Sequence, residues 1–340
     1  MGKKTEQILL GHGSGGGLMH DLVEGLFVKH FSNPYLDLQS DAAIFQALPG
    51  KTAFSTDSFV VNPVFFPGGN IGKLAVCGTV NDLVAAGSTP RFLSAGFIIE
   101  EGLPLEKLET IVSSMSDEAN TAGVIIVAGD TKVVEKGKCD HLFINTSGLG
   151  FIPHEQEYQG SWELVQAGDQ VIITGCIAEH GMAVMAARNK LEEGIGFLSD
   201  CASLHWIIPL VLKDPGGVRL MRDPTRGGIA TILCELAEST GFGIRVFEDR
   251  IPIRPDVAGF CDLLGFDPLY VANEGKMIII AAPEKAAGIV RRLRSHPLGK
   301  EAATIGEVSR DHPGRFRLKT RIGGTRLVHM LRGDQLPRIC

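Results

Sequence analysis

The chain has 340 residues, 44% of them hydrophobic, and a formal charge of -6. That length suits two domains with a sizeable core, and the acidic balance argues against a nucleic-acid role, which needs a basic stripe. Seven cysteines are scattered without a C-x-x-C pair, which removes support for a zinc ribbon or a thioredoxin-type site. An odd cysteine count with no signal peptide suits a reducing cytoplasm, so a cytoplasmic protein is expected. No apolar run approaches membrane-spanning length, so no membrane role is expected.

Near the N-terminus stands Gly11-His12-Gly13-Ser14-Gly15-Gly16-Gly17. Its G-x-G-x-x-G spacing matches a dinucleotide fingerprint, but the preceding apolar trio is too short and too near the terminus for a Rossmann first strand. The favoured reading is a mobile glycine loop, with Gly13 and Gly15 in it, whose backbone N–H groups close over phosphates. Residues 1–35 are expected to form a glycine-rich arm.

Residues 36–45 read as a strand carrying Asp41, and 51–61 as a second carrying Asp57. Small and apolar residues from 71 to 86 predict a helix bearing Asn81 and Asp82 and stopping at Gly87. A strand over 91–99, a helix over 104–122, a short buried strand over 124–127 and a strand over 142–151 follow. Strict β-α alternation fails. The pattern predicts an α/β protein of α+β type, with a largely antiparallel sheet in the first domain and helices on one face. That domain spans 36–153.

A second mixed αβ domain is expected over 160–320. Strands are read at 170–174, 244–247, 303–308 and 316–320, and helices at 178–188, 229–238 and 285–294. Residues 204–212 are apolar and of undecided type. Residues 269–281 read as a strand pair or a long strand, interrupted by Asn273-Glu274-Gly275. The cluster Arg291-Arg292-Leu293-Arg294 falls in a helical pattern and reads as a solvated face. Residues 321–340 are read as a mobile tail that ends in Cys340.

Four carboxylates stand out in the first half: Asp41, Asp57, Asp82 and Asp130. Magnesium takes few hard oxygen ligands and keeps water and phosphate oxygens, so several aspartates from different elements predict an ATP–magnesium site. Lys132 follows Asp130 by two residues, which puts both side chains on one face of an extended segment. A lysine there neutralises a transferring phosphoryl group. No G-x-x-x-x-G-K-[ST] occurs, so this is not a P-loop protein.

The combination Gly11-His12-Gly13-Ser14-Gly15-Gly16, Ser55-Thr56-Asp57-Ser58, Thr79-Val80-Asn81-Asp82-Leu83, Gly129-Asp130-Thr131-Lys132, Asp223-Pro224-Thr225-Arg226-Gly227-Gly228 and terminal Pro337-Arg338-Ile339-Cys340 resembles the HypE family. These are hydrogenase maturation factors within a superfamily that includes aminoimidazole ribonucleotide synthetase and selenophosphate synthetase. The resemblance covers the whole chain. It implies a first domain that binds ATP and Mg2+ and dimerises through its sheet, and a second that forms the other wall of the cleft. It implies that a carbamoyltransferase, HypF, loads Cys340, that Cys340 is then dehydrated to a thiocyanate with ATP, and that the product passes to a HypC–HypD complex. Asp41, Asp57, Asp82 and Asp130 are then expected at magnesium, with Asn81 at the nucleotide and Lys132 at the phosphoryl group. Glu274 is the expected base, and Asp223 and Arg226 are expected to hold the tail or a phosphate. Two alternatives are a small-molecule ATP-dependent kinase or synthetase, which has no use for Cys340, and a nucleotide-regulated scaffold.

Overall fold

The computed structural model describes residues 7–38, 42–46, 49–156, 158, 160–191, 194–213, 216–331, 333, 336 and 338–340. The first domain is built on a four-stranded sheet in the order β1 (Lys51–Phe59), β6 (Leu142–Ile152), β4 (Thr89–Glu100), β5 (Ile125–Val134). Its pairings are antiparallel except β4 with β5, as the failed β-α alternation predicts. A small hairpin, β2 (Phe65–Phe66) and β3 (Gly69–Asn70), leads into α3 (Ile71–Ala85). Asn70 caps α3, its side-chain oxygen accepting from the N–H groups of Gly72 and Lys73. Twelve of the fifteen residues of α3 are buried, because the helix lies between the sheet, α4 (Leu105–Ala122) and the second domain.

The N-terminal segment is not a free arm. Helix α1 (Gly17–Leu22) runs through a π-helical turn into α2 (Lys29–Phe31). Ile8, Leu22, Leu26, Phe27 and Phe31 are buried in the first domain's core. Nor do the described residues of 36–45 form a strand: Leu36–Leu38 is a single 3-10 turn and residues 42–46 have no regular structure. Strand β5 is longer than expected, running past Asp130 and Lys132, because β4 pairs with it throughout.

The second domain carries a seven-stranded sheet in the order β13 (Thr325–Val328), β12 (Phe316–Lys319), β9 (Gly243–Phe247), β11 (Ala303–Ser309), β7 (Gln170–Ile173), β10 (Ile278–Ala281), β8 (Val218–Arg222). Its helices are α5 (Glu179–Arg188), the short α6 (Ile208–Val211), α7 (Gly228–Thr240), α8 (Pro255–Leu264) and α9 (Pro283–Leu293). All four residues of β10 are buried. Ile278 and Ile280 face the core beneath α5 and α7, while Ile279 and Ala281 face a core continuous with the first domain. A strand covered on both faces reads as an unbroken apolar run.

Two further expectations are corrected, and a segment of undecided type is resolved. Residues 269–281 hold a 3-10 turn (Pro268–Tyr270) and an irregular segment before β10, since their backbone bonds go to loops of other elements. Residues 204–212 resolve into a 3-10 turn and α6. The tail does not begin at 321: the Arg321 N–H donates to Glu248, and β13 pairs antiparallel with β12, burying Val328.

Candidate active site

Side-chain alternation decides which carboxylates meet. On β1, Asp57 lies on the face that packs against α3, where a Cβ at Gly78 would come within 3.5 Å of its Oδ2. Asp82 stands near the end of α3 and accepts a hydrogen bond from Ser55 Oγ at 2.6 Å. Asp223 follows β8. Burial pushes the pKa of all three up, and that of Asp223 to about 7, with Asp82 and then Asp57 adding to the rise. Arg226 lowers both Asp57 and Asp82.

Asp130 does not join them. The register aligns Ser58, Asn145, Gly96 and Asp130 in one row across all four strands. Asp57 belongs to the neighbouring row and so points from the opposite face. Asp130 is 63% exposed by side chain and pairs with Lys132 Nζ at 2.7 Å, which holds its carboxyl below the usual range. The expected shared face for Asp130 and Lys132 is therefore present, but the expected four-aspartate cluster is split by the sheet. Asp41 lies outside the described residues. Gly13 packs on Val133, whose backbone nitrogen leaves no room for a Cβ, while Gly15 is open to solvent with φ +80. The glycine loop thus borders β5 beside Lys132.

The loop 223–228 is turned by two left-handed glycines, Gly227 (φ +75) and Gly228 (φ +58). A Cβ on Gly228 would lie 2.5 Å from the Leu269 carbonyl oxygen, so this loop is pressed on the one that carries Glu274. Asn273 ties the two: its N–H and its Nδ2 both donate to the Pro224 carbonyl.

Glu274 is 2% exposed, and its Oε1 has no hydrogen-bond partner among the described residues. Burial pushes its pKa well up, with Cys201, Asp223, Asp200 and Asp57 adding to the effect. Its backbone is held firmly. Asp200 accepts from the N–H groups of Glu274 and Gly275, and Asp200 and Glu179 both pair with buried Lys276 at 3.3 Å. Asn81 is not free for a nucleotide through its amide hydrogens. Nδ2 donates to the carbonyls of Ala202 and Glu274, and Oδ1 accepts from the Leu204 N–H. It joins α3 to the second domain.

The C-terminal residues are seated in this cleft. The Val60 N–H donates to the Cys340 main-chain oxygen at 3.1 Å, and the Asn62 N–H to the Arg338 carbonyl at 3.2 Å. Arg338 pairs with Asp140, and its guanidinium lies 5.7 Å from the Phe143 ring centre. Ile339 is 2% exposed. Burial raises the Cys340 pKa, Glu274 raises it further and Arg226 opposes. A cavity of about 360 Å³ opens beside the thiol, lined in part by Ser58, Arg226, Thr231 and Tyr270. A second, of about 460 Å³, is lined in part by Ser55, Asp82, Trp162 and Asp223. Loop 223–228 contributes to both.

No group of three or more His, Cys, Asp or Glu side chains among the described residues is gathered closely enough to enclose a metal. Asp57, Asp82 and Asp223 nonetheless act on one another through space. Hard oxygens at that looser spacing fit a divalent cation whose shell is completed by phosphate oxygens and water. Sequence reasoning missed Ser55, Asp200, Lys276, His180 and Arg188. Ser55 stands in the quoted Ser55-Thr56-Asp57-Ser58 run but was given no role there; the other four carry no motif, and their roles arise from contacts between distant segments.

Residues 39–152 match the family "AIR synthase related protein, N-terminal domain" and residues 166–319 the corresponding C-terminal domain. The protein is therefore a two-domain AIR synthase related protein. Carbamoyl dehydratase HypE of Bradyrhizobium diazoefficiens is 48% identical over 332 residues, covering 97% of this chain and 95% of that one. A crystal structure of hydrogenase maturation protein HypE in complex with ATP superposes with a TM-score of 0.92 at 45% identity, covering 98% and 99% of the two chains. The HypE chain of a HypE–HypF complex gives 0.79 at 44% identity, covering 91% and 99%. Within the AIR synthase related proteins, the chain belongs to the HypE family.

Proposed function

We propose that the chain is an ATP-dependent carbamoyl dehydratase that acts on its own C-terminus. A carbamoyl group on Cys340 Sγ becomes a thiocyanate, the source of cyanide for a nickel–iron hydrogenase site. The observation that carries this reading is the seating of Cys340 in the cleft, with its main-chain oxygen held by the Val60 N–H and its side of the cavity shared with Arg226. A solved relative in complex with ATP supports nucleotide binding.

The reaction balances as S–C(=O)–NH2 plus ATP giving S–C≡N, ADP, phosphate and a proton. The carbon–oxygen bond breaks, both N–H protons leave, and the oxygen departs within phosphate. ATP supplies the phosphoryl group that makes this oxygen a leaving group. Glu274 takes a proton from the nitrogen: a carboxylate forced into a dry site is a stronger base than an exposed one. Arg226 offsets negative charge beside the thiol. The backbone bonds at Val60 and Asn62 hold the carbamoyl group in place, which lowers the entropic part of the barrier.

Asp57 and Asp82, with Asp223 near them, are the residues that would hold Mg2+, which would neutralise phosphate charge. Asp41 is assigned to the same set. Asp130, Lys132 and the glycine loop are assigned to the nucleotide from the outer face of the sheet. That face also exposes Phe54 (67%) and Ile98 (44%), which supports a homodimer packed through it. The carbamoyl donor is a HypF carbamoyltransferase, supported by the HypE–HypF complex of a relative, and the acceptor is a HypC–HypD iron carrier. No helix among the described residues is long and apolar enough to cross a membrane, and a cytoplasmic site of action is proposed.

Intact-mass analysis of the carbamoylated C-terminal peptide tests the reading. Loss of one water from the Cys340 adduct, only when ATP and magnesium are added, is expected. An adduct that persists unchanged with ATP rules it out.

A further inference from the structure

His180 touches the tail and has no part in the chemistry above. It is the second residue of α5 and is 0% exposed. Its Nε2 lies 2.8 Å from the carbonyl oxygen of Ile339, the last peptide carbonyl before Cys340. Its Nδ1 lies 2.8 Å from Ser199 Oγ, and Ser199 Oγ accepts from the Cys201 N–H at 3.0 Å.

The protons along this chain can be assigned by elimination. A carbonyl oxygen only accepts, so Nε2 must carry the hydrogen. Burial disfavours the charged ring and holds its pKa below the usual histidine value, leaving Nδ1 as an acceptor. Ser199 Oγ must then donate to Nδ1, having already accepted from Cys201. One neutral tautomer satisfies every atom. The parts are fixed from behind: the Ser199 N–H donates to the Pro67 carbonyl at 2.8 Å, and the Phe66 ring stands edge-on to the imidazole at 5.2 Å. Gly181, next in the helix, has no room for a Cβ beside Val271.

We infer that His180 is a positioning residue for the dehydration of Cys340: through the relay Cys201 N–H to Ser199 to His180, its Nε2–H grips the Ile339 carbonyl and fixes Cys340 at the cavity that Arg226 lines. The other polar contacts hold residue 338 or the far end of Cys340. Arg188 donates to the Arg338 carbonyl, and Val60 to the Cys340 oxygen. Only His180 holds the intervening peptide among the described contacts, and it does so from the second domain, while Val60 and Asn62 act from the first. When the tail leaves to be loaded, the bond from Nε2–H to the Ile339 carbonyl is broken. Remaking it contributes to the seated state, so the grip favours the tail's return. The grip thus acts as a return spring between loading and dehydration.

This role rests on Cys340 being the reacting group, but its first readout does not depend on the reaction. Alkylation of Cys340 by iodoacetamide, followed on the C-terminal peptide by mass spectrometry, reports how often the tail is out. His180→Leu should speed that alkylation about tenfold, the loss expected when one buried carbonyl is left unpaired. It should slow ATP-dependent dehydration by a similar factor and leave transferase loading of Cys340 no slower. His180→Gln, whose amide N–H reaches about as far as Nε2–H, should restore both rates to within about threefold. Unchanged alkylation in a folded His180→Leu protein overturns the inference, as does failure of the Gln variant to rescue. If the Leu variant does not fold, Ser199→Ala serves instead: freeing Nδ1 should speed alkylation, and no change overturns the inference. Fast alkylation in the variant together with no dehydration in the unaltered protein would leave the grip standing and remove the dehydratase reading.

Discussion

Glu274 shows how a single buried carboxyl shapes both chemistry and stability. With Oε1 unpaired and its pKa well above 4.5, the folded protein keeps a proton that the unfolded chain releases. Stability therefore falls as pH rises from the unfolded value towards the folded one. Asp223 adds to the same trend between pH 3.8 and about 7. Glu274→Gln removes the titration and keeps the shape. The variant should lose about a hundredfold or more in dehydration rate and gain stability over the parent at pH 8 relative to pH 5, by urea denaturation at both. A parent-like rate would remove Glu274 as the base. Asp130 is the contrast: its ion pair with Lys132 is exposed and contributes at most about 1 kcal/mol.

At the scale of elements, the loop 223–228 and helix α7 carry the site. The Asp-Pro-Thr-Arg-Gly-Gly run was visible in the sequence as a loop opening a helix, and α7 follows it as expected. The reason for a glycine at 228 was not visible. It lies in the carbonyls of Leu269 and Val271, which crowd Gly228 from a segment some forty residues later. Gly228→Ala combines a left-handed backbone with a collision against main chain, and should destabilise by about 3 kcal/mol. A urea midpoint within error of the parent would show that the two loops yield more easily than their packing implies. The misread segment before β10 has an identifiable cause. Residues 269–281 read by composition as a strand pair or long strand broken at Asn273-Glu274-Gly275, but the irregular stretch extends over 271–277: Asn273 binds the Pro224 carbonyl, and Glu274 and Gly275 bind Asp200. Their backbone groups are satisfied by loops, so no ladder forms.

At the scale of the whole molecule, α3 and Asn81 weld the domains. One apolar core runs from Leu74 and Val80 to Met221, Met277 and Ile279, so the cleft has a rigid floor. The opposite face of the first sheet has no such cover, and Phe54 stands there two-thirds exposed. If a second copy covers it, Phe54→Asp should convert a sedimenting dimer to a monomer at micromolar concentration, as expected when a charge replaces a buried aromatic at an interface. A parent that sediments as a monomer would remove the dimer.

Local pattern and motif were enough to read the mixed αβ class, the two domains, helix α3 and the strands β4 and β6. Apolar periodicity and glycine stops act over a few residues, which is why they are legible along the chain. Motif also singled out Cys340, Glu274, Asp57, Asp82, Asp223 and Arg226, whose roles are proposed above. Three matters depended on segments far apart in sequence. Asp130 parts from Asp57 because strand register puts them on opposite faces of one sheet. Residues 325–328 join the second sheet because β12 offers them an edge. His180 meets Ile339 across 159 positions of chain, a hydrogen bond that no spacing rule could anticipate because both ends are placed by the packing of two domains.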